Sequence, residues 1–155
     1  MSFKILFEDD DLLVVDKPAG IVVFPEGATE KDTLIDHLII EYPDLKEAGE
    51  APRYGVAHRL DKDTSGILLI AKSSQALIFF QKQFKNREVD KKYTALATGV
   101  MKDDESVIHT LIARSPADPR KQKAHPLTDN SLTVNREAVT LYKVIERFKQ
   151  YTLLE

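Results

Sequence analysis

Val56-Ala57-His58-Arg59-Leu60-Asp61-Lys62-Asp63-Thr64-Ser65-Gly66-Ile67-Leu68-Leu69-Ile70-Ala71-Lys72 is a stretch of two opposite halves. The first half sets two carboxylates, Asp61 and Asp63, among the cations His58, Arg59 and Lys62; from Gly66 to Ala71 every residue is apolar or glycine. A short apolar run bounded by turn residues predicts a buried strand, here fed by a polar turn. A core strand fixes the position of its neighbours. A carboxylate beside it can be aimed at a substrate better than one on a mobile loop.

On the N-terminal side, Phe3 to Phe7 alternate and Leu12 to Val15 are continuously apolar, which predicts two short strands about the acidic turn Glu8-Asp9-Asp10-Asp11. Asp16-Lys17-Pro18-Ala19-Gly20 has the proline and glycine placement of a type I turn and is expected to return the chain into a strand over Ile21 to Phe24. From the turn alone, Lys17 reads as an ordinary exposed lysine. Asp32 or Thr33 can cap a helix whose apolar positions Leu34, Ile35, Leu38 and Ile39 form one face, with His37 on the more polar side as a surface residue. Pro43 to Tyr54 reads as a loop leading to the central stretch, consistent with substrate access.

On the C-terminal side, Ser73 or Ser74 can cap a helix with Ala76, Leu77, Phe80 and Phe84 on one face. Lys82, Lys85 and Arg87 near its end complement the helix dipole. A strand is expected from Glu88 to Val100, with Val89, Lys91, Tyr93, Ala95 and Ala97 on one face. An aromatic there can stack a base or fill the core, and the pattern favours core filling. Val107 to Ala113 is a further strand, Arg114 to Asn135 an exposed connector or projecting hairpin, and Ala138 to Phe148 and Tyr151 to Glu155 are strands. A chain that stops on entering a strand looks cut. Strands outnumber helices and their connections are short, so the expected architecture is α+β, a mixed, mainly antiparallel sheet with helices packed on one side, in one domain over 1–155.

With 155 residues, 43% hydrophobic and 30% charged, the chain suits a single globular core. It holds no cysteine, which excludes disulfides, zinc–thiolate sites and a thiol nucleophile. No apolar run approaches the roughly 18 residues of a membrane span, and the acidic N-terminus is unlike a secretory signal, so a cytoplasmic protein with no membrane partner is expected. The net charge of −3 argues against holding nucleic acid by global charge, yet cations gather in two windows, Lys82 to Lys92 and Arg114 to His125. Each alone is a solvated face; both, with the cations around Asp61, point to a polyanion partner.

Two chemical readings compete at the centre. Asp61-Lys62-Asp63-Thr64 fits the Asp-x-Asp-x-Thr loop of haloacid dehalogenase-type phosphatases, with magnesium and with Asp103 and Asp104 as further ligands. That loop must leave a buried parallel strand, where His58 and Arg59 do not belong. In an extended segment, by contrast, Arg59, Asp61 and Asp63 share one side while His58 and Leu60 face the other. Asp61, ionised at neutral pH beside a guanidinium, is then a nucleophile or base. A purely structural Arg–Asp pair, worth about 0–1 kcal/mol at a surface, is slightly favoured by the residue types alone.

The run from His58 to Lys72 closely resembles the central motif of the RluA family of RNA pseudouridine synthases. Lys17-Pro18-Ala19-Gly20 is similar to the family's first motif, Lys91-Lys92-Tyr93 to its tyrosine-bearing strand, and Arg120-Lys121 with Glu137 to Tyr142 to later segments, in order along nearly the whole chain. The resemblance implies an isomerase that detaches a uridine base from C1′ of the ribose and rejoins it through C5, without metal or cofactor. It implies that Asp61 is the essential carboxylate, acting on the ribose, the ring or a proton, and that Tyr93 contacts the target base. Arg59 would hold Asp61 and the displaced nucleotide, and His58, Lys17, Lys62, Lys91 and Arg120 would contribute to substrate binding. The nucleotide must be flipped out of its stack, at a cost of a few kcal/mol. The implied partner is RNA, ribosomal or transfer, bound by a monomer. A family segment rich in Gly-Arg-Thr-His-Gln-Ile-Arg is missing after Glu155, so a truncated synthase with weak or no turnover is expected; separately, no S4-like domain is expected before the first strands. The alternative within the same fold is a catalytically silent RNA-binding module.

Overall fold

A computed structural model describes residues 3–25, 32–118, 121–129 and 136–155. In chain order it forms β1 (Lys4–Glu8), β2 (Leu12–Lys17), α1 (Leu34–Glu41), β3 (Gly66–Ala71), α2 (Ser74–Lys85), β4 (Ala95–Thr98), β5 (Glu105–Arg114), β6 (Gln122–His125), β7 (Arg136–Arg147) and β8 (Tyr151–Leu154). The residues gather into two units, Met1–Asp90 and Lys91–Glu155. The first carries a sheet of order β1-β2-β3 and the second a sheet of order β4-β8-β7-β5-β6, each antiparallel throughout its described pairs. The α+β class and the antiparallel pairing agree with the sequence. The strands are divided between two sheets, with α2 and the irregular residues 86–94 between them in the chain, where one sheet was expected.

In the first unit the acidic turn closes on itself: Asp9 Oδ1 accepts the Asp11 and Leu12 N–H groups at 2.9 and 2.7 Å, which starts β2. Leu13 stands opposite Ile70 and Val15 opposite Leu68, all fully buried on one face. Leu34, Ile35 and Leu38 of α1 pack in the same core with Leu45, from the short 3-10 helix Pro43–Glu47 inside the expected loop. Thr33, one of the two expected caps, starts α1, and Asp36, which the sequence pattern did not single out, closes it with Oδ2 accepting the Thr33 N–H and hydroxyl at 2.9 and 2.8 Å. The strand expected over Ile21 to Phe24 does not form. The carbonyls of Val22 and Val23 instead accept the Leu34 and Ile35 N–H groups of α1, both at 2.9 Å, while Ile21, Val23 and Phe24 are buried. Helix N-termini carry free donors, and here those donors take the carbonyls a strand would need. Ser73 caps α2, its hydroxyl accepting the Ala76 N–H at 3.1 Å.

In the second unit β5 and β7 pair from Glu105 opposite Lys143 to Ile112 opposite Arg136. The connector after Arg114 turns back as β6, which pairs with Leu111 to Arg114 and makes the described part a hairpin. Thr152, fully buried, donates its hydroxyl to the Gly99 carbonyl at 2.8 Å and accepts the Met101 N–H at 3.0 Å. The strand expected from Glu88 to Val100 shortens to Ala95–Thr98. In that ladder Ala95 faces Leu154, and residues 86–94, with Lys91 and Tyr93, lie outside the strand.

Candidate active site

The polar half of the central stretch is held by what surrounds it. β3 lies at the edge of its sheet, and its outer backbone groups are satisfied by the incoming chain. The Gly55 carbonyl accepts the Ala71 N–H at 2.8 Å, Val56 bridges to Ile70, and His58 Nε2 accepts the Leu69 N–H at 3.0 Å. Gly55 permits this approach, since a Cβ there would stand 2.0 Å from the Ala71 carbonyl oxygen. The His58 ring also stacks on Phe84 of α2, with centroids 4.3 Å apart. An accepting Nε2 places the neutral imidazole proton on Nδ1. His58 therefore ties its segment to β3 and α2 through the same ring that the resemblance implied for substrate.

Burial alternates as in an extended segment from His58 to Asp61 and no further, because residues 61–64 form a turn in which Lys62 is exposed like its neighbours. Leu60 is buried and His58 partly so, whereas Arg59, Asp61 and Asp63 are exposed. Asp61 has 87% of its side chain exposed, and Arg59 Nη2 stands 3.8 Å from its Oδ1. The Asp61 carbonyl accepts the Thr64 N–H at 3.1 Å, closing a turn just before β3. The phosphatase arrangement is absent: its loop should follow a buried parallel strand, whereas Asp61 precedes an antiparallel one. Asp104 Oδ1, one of its supposed metal ligands, is engaged by Arg147 at 2.6 Å.

Lys17 overturns its reading as an exposed residue. It is fully buried at the end of β2, because its Nζ donates to the carbonyls of Pro18 and Ile21, each at 2.9 Å, and of Lys62 at 3.1 Å. Three acceptors satisfy the three protons of an ammonium. The Lys62 carbonyl accepts the Gly20 N–H as well, at 2.8 Å, with Gly20 at φ +90, a conformation open to glycine. The loop bearing Asp61 is thus pinned at its next residue by a buried cation. Burial lowers the Lys17 pKa, and the nearby carboxylates of Asp63 and Asp61 partly restore it. An open cavity of about 320 Å³ lies alongside, lined by Phe3, Lys4, Asp16, Lys17, Pro18 and Ser65.

Arg53 carries a signal that sequence spacing does not show. Its guanidinium lies 4.8 Å from the ring centroid of Phe24, and that of Arg59 lies 5.8 Å from the same centroid. Only the fold brings these two arginines to one ring.

In the second unit Tyr93 is half exposed, just before β4, with exposed Lys91 and Lys92 preceding it. The exposure excludes core filling, and the missing ladder excludes the strand alternation expected to set Lys91 and Tyr93 side by side. Lys92 Nζ is 3.6 Å from Glu155. Arg120 lies outside the described residues. Of the expected site residues, Asp61, Arg59, His58, Lys17 and Lys62 come together in the first unit; Tyr93 and Lys91 belong to the second. Among the described residues, no cluster of three or more His, Cys, Asp or Glu side chains is arranged to hold a metal, and no helix is long and apolar enough to cross a membrane.

Known proteins match along nearly the whole chain. A chain of Aquifex aeolicus named "Uncharacterized RNA pseudouridine synthase" is 36% identical over 153 residues, 99% of this chain and 46% of its own length. "Ribosomal large subunit pseudouridine synthase D" of Xanthomonas campestris is 38% identical over 157 residues, 100% of this chain and 44% of its own. The solved structure titled "Human RNA Pseudouridylate Synthase Domain Containing 4" superposes with a TM-score of 0.72 at 26% identity, covering 97% of this chain and 56% of that one. The chain spans less than half the length of these curated relatives. The model of the family described as RNA pseudouridylate synthase matches residues 11–155, and with the central motif folded around an exposed Asp61, the chain belongs to that family.

Proposed function

We propose that this chain carries the catalytic aspartate of an RNA pseudouridine synthase, a cytoplasmic isomerase that converts a uridine of ribosomal or transfer RNA to pseudouridine. The observation that carries the proposal is the exposed Asp61 carboxylate, 3.8 Å from Arg59, on a loop whose next carbonyl is bound by buried Lys17. The reaction breaks the N1–C1′ bond, forms a C5–C1′ bond and moves a proton from C5 to N1. Nothing is oxidised or reduced, so the balance calls for no redox cofactor.

In this scheme Asp61 meets a flipped nucleotide as an ionised carboxylate, either as nucleophile or as base, with the Arg59 guanidinium favouring the ionised form. The Lys17 and Gly20 donors hold the loop so that the carboxylate needs little reorganisation. Tyr93 contacts the target base and assists removal of the C5 proton. Lys62 and Lys91, both exposed, contribute charge toward the phosphates, with Arg120 as a further contributor. The protein works as a monomer.

The test is tritium release from RNA labelled at uridine C5, with the full-length protein. Wild type is expected to release tritium with or without chelator, and Asp61→Ala to release none. Release surviving Asp61→Ala would remove Asp61 from this role. RNA binding without release by wild type would favour the silent binding module.

A further inference from the structure

Phe24 is 5% exposed, and two arginines distant from it in sequence converge on its ring. Arg59 links this ring to the reaction centre, since its guanidinium is 5.8 Å from the Phe24 centroid and 3.8 Å from Asp61 Oδ1. Arg53 is exposed and lies nearer to the ring, and among the described residues no carboxylate stands within ion-pair distance of it. A guanidinium resting over a ring loses less rotamer freedom when it binds an anion than one on a free stem, and its fork matches phosphate oxygens.

We propose that Arg53 is a phosphate-binding residue, placed over the Phe24 ring that Arg59 also approaches, to receive a backbone phosphate of the RNA next to the nucleotide presented to Asp61. The inference rests on the isomerase reading for the identity of the polynucleotide and on the geometry at Phe24 for the residue. Neither arm of the pair has to form a bond to the base, so the contact positions the strand without reading its sequence. The buried ring supplies the platform and the exposed guanidinium the charge.

The probe is a fluorescein-labelled RNA hairpin with uridines in its loop, titrated by anisotropy at several salt concentrations. Asp61→Ala full-length protein serves as the reference, so that binding is read without turnover. Adding Arg53→Ala is expected to weaken binding about fivefold near 0.1 M salt and to reduce the slope of log affinity against log salt by about 0.7–0.9, the share of one phosphate contact. Arg53→Lys, which keeps the charge, is expected to restore the slope. A lost melting temperature with an unchanged slope in Arg53→Ala would overturn the proposal, leaving Arg53 as cover for Phe24. Tritium release by the wild-type protein is scored separately. Release together with an unchanged slope sinks the Arg53 contact alone, whereas a lost slope without release supports the contact and sinks the isomerase reading.

Discussion

Lys17 spends its whole donor capacity inside the protein, on three carbonyls from two segments that the sequence places far apart. Replacing it by methionine keeps the length and leaves those carbonyls short of a donor. Losing bonds to a charged group is costly, while removing a buried charge recovers desolvation, so Lys17→Met is expected to lower stability by about 2 kcal/mol in urea unfolding. Turnover should fall more than tenfold with Asp61 still present, because the loop loses its anchor at Lys62. Stability equal to wild type would contradict the anchoring role. The lowered pKa of Lys17 has a defined sign: between that value and 10.5 the unfolded chain holds more protons, so this group's contribution to stability grows as pH rises through that window. His58 was legible as part of a motif. Its bond to the Leu69 N–H was not, because an edge strand's need for an acceptor is visible only once the sheet order is known.

At the scale of elements, caps and apolar runs behaved as local physics requires. Ser73 and Thr33 cap helices from positions the sequence already marks, since a cap answers donors a few residues away. The first hairpin is tied to the end of β3 by Lys72, whose Nζ lies 2.9 Å from Glu8 Oε1 and donates to the Asp9 carbonyl at 2.6 Å. The hydrogen bond from Lys72 lowers the Glu8 pKa below 4.5, burial opposes it, and the Tyr42 hydroxyl adds a further bond at 3.1 Å. A depressed carboxylate contributes stability that is fully present above its unfolded value and lost as pH falls through the folded one. The stability difference between wild type and Glu8→Gln is therefore expected to be constant well above pH 4.5 and to shrink as pH falls below it. Denaturant unfolding at several pH values checks this, and a difference that grew on acidification would refute it. The strand expected at Ile21 to Phe24 fails because its carbonyls accept the first N–H groups of α1, and that expected from Glu88 forms only at Ala95–Thr98. β propensity proposes a strand, but only a free partner edge makes one.

For the whole molecule, the buried apolar residues lie almost entirely in the first unit, and among the described residues of the second only Ala113 and Thr152 are buried. Val107, Leu141, Leu96 and Ile145 of the second unit are exposed. Amide exchange follows such differences in local burial. The Leu13 to Val15 and Leu68 to Ile70 amides are expected to exchange slowest, and those of Lys91 to Thr94 and β6 among the fastest, as read by hydrogen–deuterium exchange mass spectrometry. Equal protection in the two units would refute this.

By itself the sequence determined the α+β class, the helix caps, the strand at Gly66 to Ala71, which buries Leu68, Ile70 and Ala71 but leaves Ile67 exposed, and the exposure of Arg59 and Asp61. All of these depend on periodicity and on neighbours a few residues away. Only the tertiary structure decided that Lys17 is an internal clamp, that His58 completes a sheet edge, that Arg53 shares a ring with Arg59 and that the strands fall into two sheets. Each of those depends on a donor, an acceptor or a ring brought from a distant part of the chain, and nothing in local spacing encodes that partner.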